Sequence, residues 1–354
     1  MIKPLIVKNI VPIGIIDNEL IVQKRTNLGV LNKEFKFIKK SKIPDTSIIS
    51  LLFNTFSITR RFFRKGAHNL CCLDGTNYLV FNKAIYIRKK NESKYSFYFN
   101  NYLGSRPLNF NCSENEILFG EYHSNQQRTD ETNIYQIRNN ESPKIVYTFK
   151  KNEIRHVHNC IFDKHRKGWW ILTGDNDSES NIYFYNKRLS LIAGGSQKYR
   201  AVEIILESEK IFIPSDTPFQ KNKIRIYHNK SEVLEDVFQV NGSVFHAKKI
   251  KDIYFISTVT EPSEINKSKK AILYGSLDGI NWSILFEAKK DFIPIKFQKY
   301  FRYSELKILE NLFLDKFVII EGRALQNISN GMLVFDISEI KSFLSTTLRS
   351  KNFI

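Results

Sequence analysis

The 354-residue chain is 42% hydrophobic and contains 28 Phe and 16 Tyr, which is enough apolar surface for a packed core and excludes a disordered protein. Its 54 Lys and Arg residues outnumber 36 Asp and Glu residues, and the net charge of +18 would attract nucleic acid, an anionic lipid surface or an acidic polysaccharide. The lysines are dispersed in short pairs such as Lys89-Lys90, where turns are expected, and no basic helix or tail stands out. We therefore interpret most of the excess charge as solvated loops and do not expect nucleic-acid binding.

Residues 1–20 are apolar but interrupted by Lys3, Pro4, Lys8 and Asp17, and no small-residue cleavage site follows them. This pattern favours strands over a signal peptide. No apolar stretch approaches the roughly 18 residues that a membrane span requires. These features predict a cytoplasmic protein without a membrane span.

Short runs rich in Ile, Val, Phe and Tyr, bounded by Asn, Asp, Gly, Ser and Lys, cover nearly the whole chain and predict an all-β fold. The N-terminal segment contains four such runs, IVPIGIID, ELIVQKR, LGVLN and EFKFI. They are followed by TSIISLLFNTFSI, a candidate helix before Arg60. Six further units then begin with GAHNLCCL, SRPLNFN, RHVHNCIF, YRAVEIIL, GSVFHAKK and FQKYFRYS. The segment ISEIKSFLSTTLRS, residues 337–350, predicts a short C-terminal helix.

The starts of these six units are about 40 to 55 residues apart, which is the period of a four-stranded propeller blade. With the N-terminal set, the pattern predicts a single β-propeller over residues 1–354 with about seven four-stranded blades, six being the alternative. Residues 1–60 would form an irregular first blade, 61–337 the repeated blades and 338–354 a helical tail. Two β-sandwich domains are the competing arrangement, but they do not explain why polar residues return at the same two places in each unit.

In a propeller, the first strand of each blade lines the central channel, and the loop after the second strand opens on the same axis. Polar residues recur at both places, and we expect them to converge on one site. The candidates for catalysis are His156, His158, Glu121, Asp175, Asp216 and Glu261. The candidates for substrate binding are Arg61, His68, Arg106, His123, Arg155, Asp177, Tyr199, Arg200, His246, Gln298 and Arg302.

Two kinds of carbohydrate chemistry fit these residue types. A glycosidase needs two carboxyl groups, one of them with a raised pKa, and the acidic candidates could supply them. Elimination on a uronate chain instead needs a cation on the carboxylate and a base such as His156, His158, His123 or Tyr199. The recurring arginines would either bind a carboxylate, sulfate or phosphate bidentately or pair with acids between blades, and the sequence leaves both interpretations open.

His156 and His158 are two residues apart in an expected strand and therefore share a face, so both could bind one divalent ion together with Asp175. The H-x-H pattern is short and common, and histidines that are hydrogen-bonded in a polar channel are the simpler interpretation. We expect no cofactor, with a divalent metal at these three residues as the alternative.

The ordered motifs GEYHSN, IRHVHNCIFDK, GWWILTGDND, GGSQKYRAVEI, SDTP and GSLDGINW resemble bacterial sialidase-like propeller proteins of the BNR or Asp-box type that occur with surface-polysaccharide genes. The similarity covers about residues 60–337. Residues Gly275–Trp282 resemble the Asp-box, S-x-D-x-G-x-x-W, with one residue fewer before Trp282; in that family the box is a structural turn. The resemblance implies a six-bladed catalytic propeller with an arginine triad, a Tyr/Glu nucleophile pair and an Asp acid. The family's early R-I-P signature is absent here, and no Tyr/Glu pair can be assigned.

Together these features predict a carbohydrate-active propeller, either a glycoside hydrolase or a polysaccharide lyase, that acts at the axial funnel on an acidic oligo- or polysaccharide of a bacterial surface. A non-catalytic propeller that binds a glycan or a protein is the first alternative. A nucleic-acid binder driven by the positive charge is the second.

Overall fold

The computed structural model describes residues 1–45, 47–138 and 141–351, without the side chains of Ser57, Ile295, Gln298, Lys299 and Lys351. These residues form seven four-stranded antiparallel sheets in a ring, which confirms the predicted propeller and sets the number of blades at seven. The strands are β1 (Leu5–Val7), β2 (Val11–Ile16), β3 (Glu19–Lys24), β4 (Asn27–Leu31), β5 (Phe37–Lys42), β6 (Ala67–Leu73), β7 (Thr76–Phe81), β8 (Ala84–Arg88), β9 (Ser96–Phe99), β10 (Asn111–Cys112), β11 (Glu116–Gly120), β12 (Thr132–Arg138), β13 (Lys144–Phe149), β14 (His156–Asp163), β15 (Gly168–Gly174), β16 (Ile182–Asn186), β17 (Arg188–Ala193), β18 (Ile205–Leu206), β19 (Lys210–Pro214), β20 (Lys223–His228), β21 (Leu234–Gln239), β22 (Val244–Ile250), β23 (Ile253–Thr258), β24 (Lys270–Ser276), β25 (Ser283–Lys289), β26 (Glu305–Ile308), β27 (Phe317–Arg323) and β28 (Gly331–Asp336). The helices are α1 (Ile48–Thr55), α2 (Ser57–Phe62), α3 (Ile295–Phe301) and α4 (Ile337–Lys351).

Six blades consist of four consecutive strands each, from β2–β5 to β22–β25, and the first strand of each is the inner one. The seventh blade contains β26, β27 and β28 and takes its outer strand from the N-terminus. Leu5 of β1 lies opposite Val334 of β28 in an antiparallel pair. The start of the chain therefore closes the ring by hydrogen bonding to the last blade.

The hydrophobic core lies between neighbouring blades. The described residues form seven apolar clusters, one for each pair of adjacent blades, including the pair of the first and the last. Because both faces of a blade are covered, its second strand is apolar throughout: all seven residues of β15 are buried. Trp169 of β15 also donates from its indole nitrogen to Glu116 of the neighbouring blade at 2.8 Å.

Two helical insertions stand at one end of the channel. The helix that the sequence predicts before Arg60 is confirmed as α1 and α2, between blades 1 and 2. The segment FQKYFRYS, predicted as the inner strand of the last blade, is instead largely α3, and this prediction was wrong. Phe297, Tyr300 and Phe301 follow the i, i+3, i+4 spacing of a helix, and the inner strand is β26. The predicted C-terminal helix is confirmed as α4, which packs Ile340 and Leu344 against blades 6 and 7.

Among the described residues, no helix has the length and apolar character needed to span a membrane.

The inner strands of four blades contain a bulge at the same point. The register against the second strand shifts around Ile13, His68, His158 and Phe245, so that each of these residues has no direct partner. A bulge turns its extra side chain away from the regular alternation of the strand. In blades 2 and 4, this places a histidine in the wall of the channel.

Candidate functional site

A funnel-shaped cavity of about 750 Å³ surrounds the propeller axis at the end where α1, α2 and α3 lie. Its wall is formed by residues of the inner strands, of the segments that lead into these strands and of the loops after the second strands. Eleven of the residues selected from the sequence line it: His68, Arg106, Arg155, His156, His158, Asp175, Arg200, Asp216, His246, Glu261 and Arg302. Among these eleven, His68 and Arg302 are 234 positions apart in the chain and share one site.

Arg61 does not line the funnel. Its buried guanidinium forms an ion pair with Asp291 and donates from Nε to the carbonyl oxygen of Phe301 at 3.2 Å. Arg61 thus joins the insertion of α2 to that of α3, and the structure gives it a role in positioning the two insertions.

Glu121 is also outside the funnel wall. Its buried carboxylate accepts from the backbone N–H groups of Leu103 and Asn133, both at 2.8 Å, and from the hydroxyl of Tyr135 at 3.2 Å. These three donors occupy both carboxylate oxygens. Glu121 therefore satisfies donors of β12 and of the segment between blades 2 and 3 rather than facing a ligand.

Four further candidates do not reach the cavity with a described side chain. His123 contributes its carbonyl oxygen, which accepts from Nδ1 of His156 at 3.2 Å. Asp177 accepts from the backbone of a neighbouring turn, and Tyr199 packs against the core between blades 4 and 5. Gln298 belongs to α3, but its side chain lies outside the described part of the structure.

One wall of the funnel combines acids with arginines. Asp175, directly after β15, accepts from Arg155 at 2.6 Å on one oxygen and lies 3.0 Å from Arg200 on the other. Arg200 also lies 3.6 Å from Asp216 and donates to the backbone carbonyl of Asp175 at 3.1 Å. Arg155 and Arg200 are thus paired with acids, which is the second of the two interpretations that the sequence left open.

The two histidines of β14 lie beside Asp175. Each donates from Nδ1 to a backbone carbonyl, His156 to His123 at 3.2 Å and His158 to Ala201 at 3.0 Å. Their Nε2 atoms lie 3.7 Å and 3.8 Å from the carboxylate oxygens of Asp175. Burial, with a contribution from His158, lowers the pKa of His156 to about 3. These are the residues of the described chain that could hold a metal ion.

The opposite wall is cationic. Arg106, Arg302 and Lys307 line it, and none of the three forms an ion pair with a carboxylate of the described residues. Burial and the charges of Arg302 and Arg323 lower the pKa of Arg106 well below its usual value. Burial and Arg323 likewise lower the pKa of Arg302 to about 9 and that of Lys307 to about 7. These shifts reflect positive charges that are held close together and partly removed from water.

Arg323 belongs to the same wall, but its charge is neutralised by carboxylates. It donates to both oxygens of Glu321, at 2.6 Å and 2.7 Å, and to Glu305 at 2.6 Å. The second oxygen of Glu305 lies 3.4 Å from Nε2 of His246. Arg323 thus pairs with two acids, whereas Arg106 and Arg302 in the same wall pair with none of the described acids.

Glu261 faces the funnel from the loop after β23. Burial and the negative charge of Asp216 raise its pKa to about 7. A carboxyl group in this range exchanges a proton near neutral pH, as a general acid must. The funnel therefore contains a protonatable carboxyl group beside a second carboxyl group.

Several lining residues were not selected from the sequence. Glu305 and Lys307 alternate along the inner strand β26, but the misplaced seventh inner strand hid this signal. Tyr122 follows the second strand of blade 3 and contacts the ring of His156, with ring centroids 4.2 Å apart and a tilt of 40° between the planes. Its position directly before His123, a selected residue, could have indicated it. Tyr303 follows Arg302, and both belong to the link between α3 and β26.

Comparison with known proteins shows the fold alone. No family model matches the chain, and no curated protein does. Among solved structures, it is similar to a chain of the Mitotic Checkpoint Complex, with 8% identity, a TM-score of 0.56 and 95% of this chain and 94% of that chain covered. It is similar to the computationally designed Ika8 protein, with 8% identity, a TM-score of 0.50 and coverage of 93% and 96%.

A third similar structure is the extracellular domain of a putative hybrid two component system from B. thetaiotaomicron. The identity is 7%, the TM-score is 0.59, and the match covers 95% of this chain but 43% of that chain. At such identities the likeness concerns the seven-bladed propeller. The implied kinship with sialidase-like propellers receives no support from these comparisons.

Proposed function

We propose that this propeller binds an acidic oligo- or polysaccharide in its axial funnel and hydrolyses a glycosidic bond there. The observation that carries the proposal is the wall of Arg106, Arg302 and Lys307, which lack carboxylate partners within the described ranges. Holding these cations together without direct carboxylate partners costs free energy, although Glu305 and Glu321 offset part of it, and an anionic ligand would recover the rest. A uronate carboxylate or a sulfate has the size and charge to bridge two of them.

The wall that combines acids with arginines supplies the groups for hydrolysis. Glu261, with a pKa of about 7, would donate its proton to the glycosidic oxygen that leaves. A water molecule would attack the anomeric carbon and lose its proton to Asp216, the neighbouring carboxyl group. Arg200 contacts Asp216 at 3.6 Å and would orient it. The net reaction is the addition of one water molecule across the bond.

Aromatic side chains make the funnel suitable for a sugar. Tyr122, Tyr303, Phe219 and Phe245 line it. The apolar faces of sugar rings pack on aromatic rings, while the charged substituents would reach the cationic wall. A cavity of about 750 Å³ also lies within the range of small-ligand sites.

A second candidate function is the binding of a protein partner. The insertions around the funnel expose apolar side chains, and Ile48 and Phe292 are 85% and 81% exposed. Such patches on soluble proteins mark interaction surfaces. The open funnel favours the first candidate, because a scaffold that uses only its rim has no need of a polar axial cavity.

The test uses a hexuronate oligosaccharide and its carboxyl-reduced, neutral counterpart, with binding measured by calorimetry and reducing ends by assay. We expect binding of the acidic ligand only, and Arg302→Gln should weaken it at least about tenfold, since a charge-assisted hydrogen bond contributes about 1.5–3 kcal/mol. Arg138→Gln is the matched control, because Arg138 is exposed and pairs with Glu116 on the outside of blade 3. Equal losses in both variants would show that only the general field matters and would overturn the proposal.

The same assay separates the chemical outcomes. Release of reducing ends that Glu261→Gln abolishes, with binding retained, supports hydrolysis. The absorbance of an unsaturated uronate would show elimination instead and would replace the acid role of Glu261 with a base. Binding without any product would reduce the proposal to a glycan-binding propeller.

A further inference from the structure

Three side chains of blade 4 converge on one point of the funnel wall. His156 begins β14, and His158 occupies the bulge of the same strand. Asp175 follows β15, the partner strand of β14. One ring nitrogen of each histidine and a carboxylate oxygen of Asp175 all lie within 4.8 Å of one another. The fold thus brings two nitrogen ligands and one oxygen ligand to one place.

The hydrogen bonds around the histidines determine which ring nitrogen carries the proton. Both Nδ1 atoms face carbonyl oxygens, of His123 at 3.2 Å and of Ala201 at 3.0 Å, and must donate to them. In the neutral ring, Nε2 is then a bare acceptor. The distances of 3.7 Å and 3.8 Å from Nε2 to Asp175 are too long for hydrogen bonds. Nε2 of His156 is buried and has no hydrogen-bond partner among the described residues.

Three acceptors therefore face one another with no hydrogen between them, which is unfavourable unless a cation occupies the space. We propose that His156, His158 and Asp175 bind a divalent first-row transition metal ion, with zinc as the representative. Two imidazoles and one carboxylate are a donor set that such ions accept, and backbone carbonyls on the distal nitrogens orient the rings as in known metal sites. This inference stands independently of the proposed glycan.

Arg155 and Arg200 leave lone pairs of the Asp175 carboxylate available to a metal ion. Each contacts a different oxygen of Asp175, at 2.6 Å and 3.0 Å, and a carboxylate offers about two lone pairs on each oxygen. The arginines would hold the carboxylate plane in place from outside while the inner lone pairs face the ion. Their charges lower the affinity, so we expect weaker binding than at a fully anionic site.

The site would be open to ligands. All three residues line the funnel, so a metal with three protein ligands has at least one coordination position that faces the cavity. An oxygen of a bound ligand could occupy it. The site is distinct from the cationic wall of Arg106 and Arg302 on the other side of the funnel.

Binding is measured with zinc and with cobalt, in the absence of any saccharide. Metal-stripped full-length protein is titrated by calorimetry, and the cobalt form is followed by its visible absorption. We expect one ion per chain. His156→Ala should weaken binding at least about 100-fold, since even residues that only orient a ligand contribute about 10–100-fold. Asp175→Asn should alter the cobalt spectrum.

His68→Ala is the matched control. His68 occupies the same bulge in blade 2 and lines the same funnel, but Gly66 stands where His156 stands in blade 4, and Asn82 follows the second strand. We expect the zinc affinity of the His68→Ala variant to stay within about twofold of that of the wild type. Binding that survives in both His156→Ala and His158→Ala, or no stoichiometric binding by the wild type, would overturn the proposal. Circular dichroism of each variant checks folding, and failure of glycan binding would leave this result unchanged.

Discussion

Gly174 leaves the space that the ring of His158 occupies: a Cβ at Gly174 would lie 2.5 Å from Cε1 of His158. Real Cβ atoms do not approach a ring this closely, so any larger residue must displace the imidazole. The ring is otherwise held by its hydrogen bond to Ala201 at 3.0 Å. The last residue of β15 is therefore a determinant of the histidine geometry.

Gly174→Ala should displace His158 and weaken zinc binding about tenfold or more, in the range seen when residues that orient a ligand are changed. It should also destabilise the fold by about 1–3 kcal/mol, the usual cost of overpacking. Calorimetric titration with zinc and urea unfolding measure the two effects. Gly14→Ala is the control, because a Cβ there meets Leu70 only at an ordinary 3.4 Å. Unchanged zinc binding in Gly174→Ala would contradict the role of His158.

The proposed hydrolysis should have a pH profile that falls on the alkaline side because of Glu261. Burial and Asp216 raise its pKa to about 7, so the protonated form, which donates, is lost as the pH rises through that value. Asp216→Asn removes the like charge, and the titration of Glu261 should move to lower pH. Carbon NMR of the carboxyl group measures this shift without any substrate. A Glu261 that titrates at the same pH in wild type and Asp216→Asn would show that the two groups do not interact.

The sequence predicts the blades because each blade buries both faces, and this burial leaves a repeated apolar pattern. The sequence cannot distinguish Glu121 from Asp175, because each directly follows the second strand of its blade. Glu121 turns to unpaired backbone N–H groups that happen to lie within reach, while Asp175 turns to two arginines. Which donors a side chain meets depends on loops from other parts of the chain, and no local pattern encodes it.

Lys307 was missed for a related reason. The position of the last inner strand depends on where α3 ends, and Phe297, Tyr300 and Phe301 support either a strand or a helix until the helical spacing is recognised. The bulges add a further uncertainty, since one extra residue reverses the direction of every following side chain. His68 and His158 nevertheless stand before Asn in the same local pattern, which indicates that the two strands are equivalent.

Anion binding should be accompanied by proton uptake at Lys307. Burial and Arg323 lower its pKa to about 7, with Arg106 acting in the same direction and Glu321 and Glu305 opposing. A bound carboxylate or sulfate favours the charged amine and raises this pKa, so a fraction of a proton should be taken up at pH 7–9. Calorimetry in buffers of different ionisation enthalpy measures the uptake. The uptake should disappear in Lys307→Met, and its persistence there would assign it to another group.

The same shift affects stability. Between the lowered pKa of about 7 and the ordinary value of 10.5, the unfolded chain binds one more proton at Lys307 than the folded protein. The free energy of unfolding should therefore rise with pH across this window. Lys307→Met should remove that rise and should be less destabilising, or even stabilising, below pH 7. Urea unfolding at a series of pH values compares the two slopes.

The ion pair of Arg61 and Asp291 should hold the two insertions of the funnel mouth together. Both side chains are buried, at 8% and 6% exposure, so removing one partner leaves a buried charge without a counter-charge. Such a change costs about 3–5 kcal/mol where the buried site cannot rearrange. We expect Asp291→Ala to lower the protection of α2 and α3 from hydrogen exchange and to destabilise the protein by a sizeable part of this amount. The double substitution Arg61→Met with Asp291→Leu should restore much of the loss, because it removes both charges.

Glu34→Ala is the control, since Glu34 and Lys36 pair at 66% and 75% exposure and should contribute no more than about 1 kcal/mol. If Asp291→Ala were as mild as Glu34→Ala, the insertions would be held by their aromatic contacts, such as that of Phe62 with Phe301, rather than by the ion pair.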